Sequence, residues 1–415
     1  LNFFLILMIS IINFFSISMI AFIGADRFHL LTNSFDYFVL TPFIGFSCLF
    51  IFSSLCLRPD KFNFNWIFFD DIAIKVFSIY LITAIISIFF SIDIYLSLKR
   101  FLLLFYIIFS FLLFFSFYGK KSIIHIILKG SIFGSFIIIS FNILLLYLWL
   151  FSLELFPSFI NMETDGIAYF VPRLGGYSMD VNRGAVVLLF FTYYLFHYMN
   201  RSALKTILIF FGILFIFLSF SRTVYLMLLS IFIYKIIFSD SKQRMILTKY
   251  FLSSIAFLIC LLFYFNSLDL ININLLVKER LDIFTVTRFT SSGIHLKLII
   301  DGIVIAFNDF KILLLGTGVG TSYKLIEGYY WSGSKYGNYH SMYITSLVES
   351  GIFNSLSLFL FSFILPIYKS YKNIFLDFLV CIFFFNIFYQ LNMEPLFWFV
   401  VLLFYKINHS ILNHE

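Results

Sequence analysis

Charge is what this sequence has least of. Only 12% of its 415 residues are Asp, Glu, Lys or Arg, against roughly a quarter in a soluble domain. That shortage excludes an ordinary soluble fold. Strict apolar/polar alternation is also missing, which argues against a membrane β-barrel. The cysteines, Cys48, Cys56, Cys260 and Cys381, all fall inside apolar runs. They have neither the pairing nor the spacing of a disulfide framework or a zinc site, so they read as small buried hydrophobes. The net charge of +7 is modest and reads as membrane topology, so no nucleic-acid partner is expected.

What is present is apolar. Hydrophobic residues make up 62% of the chain, Phe alone occurs 64 times, and the mean hydropathy is +1.02. Runs of about 17–25 apolar residues recur from end to end, each long enough to cross a hydrocarbon core as a helix. They predict an all-α polytopic membrane protein with about twelve transmembrane helices. The expected spans are 3–24, 38–57, 72–92, 101–118, 131–153, 184–199, 205–220, 222–238, 250–266, 341–366, 374–391 and 395–409. The first run has no basic stretch ahead of it and further spans follow, so it is expected to be a helix and not a cleaved signal.

Lys and Arg in the short loops set the orientation. With both termini in the cytoplasm, the inner loops hold Arg58 and Lys61, Lys120 and Lys121, Arg201 and Lys205, then Lys242, Arg244 and Lys249, then Lys369 and Lys372. The outer loops are poorer, with Lys99 and Arg100 as the exception. Two longer polar segments, 154–183 and 267–340, then face outward. The chain divides accordingly into 1–266 with nine helices, a large loop at 267–340, and 341–415 with the last three helices and a cytoplasmic C-terminus. The large loop contains the apolar-periodic "IHLKLIIDGIVIAF" (294–307) and a glycine cluster. A folded, partly helical subdomain is expected there, because loops of this length are seldom idle.

Polar residues near the outer face are the candidates for chemistry. Arg173 lies in "VPRLGGYSMDVNRG", Arg222 in "SFSRTVYL" and Arg288 in "TVTRFTSSGIHLK". Loop arginines are commonly solvated or paired with acids, and Arg183 and Arg280 read that way first. Arg222 stands out because a tight turn between two apolar runs needs no charge, and a guanidinium near the bilayer is costly without an anionic partner. Arginine stays charged and grips phosphate oxygens with two parallel hydrogen bonds, so several at one face suit a lipid-linked pyrophosphate. "GTGVGTSYK" (316–324) lacks both the P-loop ending and the dinucleotide spacing and reads as a tightly turning backbone. His340 opens the tenth expected span, and beside the arginines it is a candidate general base. Glu349, nine residues on, falls half a rotation round the helix and does not share its face. No paired carboxylates of the D-x-D kind occur in the outer segments and no His/Cys cluster has metal spacing, so neither metal nor cofactor is expected.

Four stretches in order, "PRLGGYSMDVNRGA", "SFSRTVYL", "TRFTSSGIHLKLIIDGIVIAFNDFKILLLGTGVG" and "HSMYITSLVESGIFNS", resemble the O-antigen ligase/polymerase superfamily of bacterial membrane glycosyltransferases. The last resembles the family signature H-N-x-[YF]-L-x-x-x-x-E-x-G, with Ser341 where Asn is usual. The resemblance implies a GT-C-like fold in the bacterial inner membrane with the active site facing the periplasm. It implies that Arg222 and Arg288 hold the pyrophosphate of an undecaprenyl-pyrophosphate-linked oligosaccharide, with Arg173 supporting them. His340 would be the base on an acceptor hydroxyl, and Tyr343 and Glu349 would contact substrate. The implied activity is O-antigen polymerase, with O-antigen ligase as the alternative and a chain-length regulator protein as a partner. A polysaccharide transporter or flippase would also suit about twelve spans, but transporters often show inverted repeats, and no repeat is evident here.

Overall fold

The computed structural model describes residues 2–26, 40–62, 71–151, 172–178, 180–238, 241–268, 291–326, 338–369, 375–391 and 393–412. No strand occurs among the described residues. In chain order the helices are α1 (Asn2–Ala21), α2 (Pro42–Leu57), α3 (Asp71–Phe89), α4 (Ile94–Phe117), α5 (Lys120–Phe151) and α6 (Val181–Tyr198). Then come α7 (Ala203–Leu218), α8 (Arg222–Phe238), α9 (Ser241–Ser267), α10 (Ser291–Asn308), α11 (Phe310–Leu315) and α12 (Ser322–Ile326). Last are α13 (Met342–Ser350), α14 (Ile352–Phe359), α15 (Leu365–Lys369), α16 (Leu376–Ile387) and α17 (Pro395–Leu412).

Short polar residues set several of the starts. The side chains of Asp93, Ser202 and Asp309 accept backbone N–H groups of the first turns of α4, α7 and α11 at 3.0, 3.1 and 2.8 Å. Each satisfies a donor that the helix itself cannot. Among the described residues four helices, α3, α4, α5 and α9, are long and apolar enough to cross a membrane, and six shorter apolar helices accompany them. Large side chains such as Phe52, Phe89 and Phe238 point outward at 70–76% exposure. Such an apolar exterior fits a membrane protein.

Contacts divide the chain into two compact units. Unit 1 comprises Leu1–Thr32, Leu40–Pro59 and Lys121–Thr285. Here α1 packs on α2, and α7 packs on α6 and α9. Small residues let the helices approach. A Cβ added at Gly130 would lie 2.7 Å from Ile20 Cβ, and one at Gly134 would lie 2.4 Å from the Phe191 ring. Close approach through small residues is how helices associate where lipid supplies no hydrophobic drive. Unit 2 comprises Asn33–Val39, Asp60–Lys120 and Val286–Glu415. Its centre is aromatic: Phe77 and Tyr80 of α3 pack on Trp398 of α17, and Phe111 and Phe115 of α4 pack on Phe399.

Three local departures from the sequence expectation have physical causes. The span expected at 101–118 starts at Ile94, because Asp93 caps it. The apolar run 341–366 is two helices and not one. Gly351 joins them at φ +84°, a backbone that a β-carbon disfavours, and a Cβ there would lie 2.3 Å from the Leu314 carbonyl oxygen. Farther along, the backbone widens to a π turn over Leu360–Ile364. Pro366 follows, and its ring has no N–H to give the carbonyl four residues back, so a wider turn relieves the ladder.

Candidate functional site

Arg173 and Arg222 both lie at the turn between α7 and α8 in unit 1. The chain turns from α7 to α8 through Ser219, Phe220 and Ser221, with Phe220 in left-handed backbone at φ +51°. Helices commonly end on a left-handed residue, which leaves the last carbonyls pointing outward. The segment 173–174 covers them: Leu174 N donates to Leu218 O at 3.2 Å and Arg173 Nε donates to Ser219 O at 3.2 Å. Arg173 Nη2 also donates to Asn182 Oδ1 at 3.3 Å. A cation at a helix C-terminus complements the helix dipole. Arg222 is the first residue of α8, half-buried, three positions past the carbonyl that Arg173 holds.

The rest of the "PRLGGYSMDVNRG" stretch fixes this corner in the unit. Gly176 N donates to Asn142 Oδ1 at 2.8 Å and the Tyr177 hydroxyl donates to Ala21 O at 2.7 Å. Asp180 caps α6, and Arg183 pairs with Asp26.

In unit 2 the glycine cluster closes on a carboxyl group, and the carboxyl is the protein's own. Gly316, Gly318 and Gly320 adopt φ of +75°, +104° and +75°, which glycine reaches without steric cost. The loop wraps the end of α13: Thr317 N donates to Val348 O at 2.9 Å and Gly318 N donates to Glu349 O at 2.8 Å. Glu349 is 2% exposed. Its Oε1 accepts from Ser322 Oγ at 2.7 Å and from Ser322 N at 3.3 Å. The Gly320 amide also reaches this carboxyl, and the Arg100 guanidinium lies near it. Gly320 leaves the room that Arg100 occupies, since a Cβ there would lie 2.4 Å from Arg100 Cγ. Successive backbone amides of this kind form concave anion seats.

His340 lies just outside α13. Ser341 occupies the N-cap position, so the imidazole sits on a bend and not in the helix. Its backbone is left-handed at φ +48°, and its N–H donates to Asn338 Oδ1 at 2.7 Å. Left-handed backbone in a residue other than glycine is uncommon and costs of order 1–3 kcal/mol. The ring stacks on His295 of α10, centroids 3.8 Å apart and planes 12° from parallel. Tyr339 is fully buried, and burial, with the charges of Glu349 and Asp301, raises its hydroxyl well above the ordinary tyrosine value. Tyr343 packs edge-on against Phe359 and also against Phe383.

Thus Arg173 and Arg222 lie at one turn in unit 1, while His340, Tyr343 and Glu349 belong to unit 2. Arg288, like Arg280, lies outside the described residues. Arg100 and His295 are absent from the sequence-based candidates. For Arg100 a signal existed, since with Lys99 it broke the charge asymmetry of the loops. His295 gave none, standing inside an apolar-periodic run. Among the described residues no three His, Cys, Asp or Glu side chains gather as metal ligands. Neither a family model, a curated protein nor a solved structure matches this chain.

Proposed function

We propose that this chain is an O-antigen polymerase: a metal-independent, inverting membrane glycosyltransferase acting on undecaprenyl-pyrophosphate-linked repeat units. One observation carries the proposal. The stretches that resemble the ligase/polymerase superfamily, separate in sequence, close on one another in pairs: Arg173 on Ser219, and 317–318 on 348–349. A chain whose separate motifs interlock is using them together.

On this proposal about twelve apolar segments span the bacterial inner membrane, with 154–183 and 267–340 on the periplasmic side and a chain-length regulator as partner. Arg222 and Arg288 hold the donor pyrophosphate, whose charge grows as it leaves and needs fixed cations. Arg173 supports Arg222 by fixing the turn that presents it. His340 takes the proton as the acceptor O–H bond breaks. The freed oxygen bonds to the donor's anomeric carbon from the face opposite the pyrophosphate. The bond from that carbon to the pyrophosphate oxygen breaks, and its electron pair leaves on the pyrophosphate. Glu349 and Tyr343 act by position, one seating the glycine loop and the other anchoring α13 in its aromatic neighbours.

A surface-glycan gel of a strain deleted for this chain tests the activity. Core carrying single repeats, restored to long chains by the parent gene, is the expected result. Arg222→Lys keeps the charge and loses the planar two-point grip, so it should fail to restore long chains at a normal membrane level of protein. Bare core with accumulated lipid-linked polymer in the deletion strain would instead identify a ligase.

A further inference from the structure

We infer that His295 is a positioning residue for His340, a flat platform that sets the plane of the imidazole; the inference rests on His340 being the base. The geometry of α10 carries it. His295 and Gly302 are seven residues apart, two turns along one face of that helix. Gly302 receives the segment beside His340 so closely that a Cβ there would lie 2.8 Å from Tyr339 Cδ1 and 2.5 Å from Ile344. Between them Leu298, also on this face, is fully buried in a cluster that includes Tyr339. The helix therefore grips Tyr339 at one turn and stacks His340 two turns earlier. The register between α10 and residues 339–344 is fixed by packing, and His295 falls under His340 because of it.

A platform has something to do here. A histidine side chain can turn about two bonds, and a stacked ring restricts both. A parallel ring at 3.8 Å covers one face and sets the plane in which both ring nitrogens lie. A base must hold its lone pair on the line of the proton it takes. The same geometry argues against a shared metal ion. Lone pairs lying in two nearly parallel planes this far apart do not converge on one ion at the roughly 2.0–2.1 Å that a zinc–imidazole bond requires.

The test uses the whole chain in proteoliposomes, with lipid-linked oligosaccharide extracted from the deletion strain as substrate. His295→Ala should lower the turnover rate roughly 10- to 100-fold, the scale of a misplaced catalytic group, and leave the apparent KM near the parental value. His295→Phe keeps a flat face and should recover most of the rate. His295→Leu fills the space without a flat face and should stay slow. Parental turnover in His295→Ala, or a Phe variant no faster than the Leu variant, would overturn the platform. If His340→Ala is inactive while His295→Ala is normal, only this inference falls. If His340→Ala itself turns over normally, the assignment of His340 as base is what fails.

Discussion

The α7–α8 corner and the glycine loop both turn the chain through left-handed backbone. Each is held by one polar side chain of opposite hydrogen-bonding kind, a donor at the corner and an acceptor in the loop. At the corner the backbone groups the helix leaves over are carbonyls, and Arg173 donates to one of them. In the loop they are amides, and Glu349 accepts from them. The difference lies in what each side chain is left to do. Arg173 and Arg222 are half-buried, and a guanidinium carries five N–H donors in a fixed fork. Glu349 is turned into the protein. A glycine-rich loop with concave amides is therefore not by itself a phosphate site, because the chain can supply the acceptor oxygens from its own sequence.

The comparison breaks most visibly at the acceptor. Glu349→Ala would leave the Ser322 amide and hydroxyl facing an apolar gap. Buried groups stripped of their partner cost about 1–3 kcal/mol each, and two are stripped here. The melting temperature of the purified variant should fall further than that of any variant at Arg173 or Asp93. Glu349→Gln keeps an acceptor oxygen and should fall less. Melting of the Ala variant together with the parent would mean that the loop holds itself and the carboxyl is incidental.

Hydropathy alone made the helices legible, since every expected apolar run among the described residues contains one. Their ends were less so, because ends depend on single residues such as Asp93 and Gly351 whose effect is local and not periodic. The same asymmetry runs through the site. Arg222 could be singled out because a charge in a tight apolar junction is an anomaly visible in one dimension. The partner of the glycine cluster could not, because Glu349 lies about thirty residues downstream of the loop and its link to Ser322 exists only once α13 has folded back. His295 was hidden for the opposite reason. It sits in an ordinary amphipathic helix, and only the packing of Gly302 against Tyr339 sets which residue it meets.

The cation corner should break less sharply. Arg173→Met keeps much of the apolar stem and loses the bonds to Ser219 O and Asn182 Oδ1. Leu174 N still covers Leu218 O, and only the buried Ser219 carbonyl loses its side-chain donor, so a loss of about 1–2 kcal/mol is expected. The same variant should slow chain growth by more than its melting shift accounts for, because the turn it fixes presents Arg222. A variant equal to the parent in both melting and chain growth would reduce Arg173 to a surface cation.

The mildest case is the exposed version of the same device. Asp93 caps α4 with Oδ1, which accepts from Leu96 N at 3.0 Å, while Oδ2 accepts from Lys324 Nζ at 2.6 Å. The two side chains are 27% and 36% exposed. The Lys324 bond first, and the Leu96 amide second, hold the Asp93 carboxyl below its usual range. A carboxyl whose folded value is depressed stabilises the fold at every pH above its unfolded value, about 3.9. That contribution disappears as the pH falls through the lower folded value. Asp93→Asn keeps an acceptor for the cap and removes only the ion pair, so at neutral pH it should cost about 0.2–1 kcal/mol. Lys324→Met should cost a similar amount, and the double variant no more than either alone. High salt should narrow the gap from the parent. Acidification through the folded value should close it, because the parent's carboxyl is then as neutral as the amide that replaces it. A gap that widens on acidification would mean that the Asp93 carboxyl is not held low and that Lys324 contributes nothing to the loop it flanks.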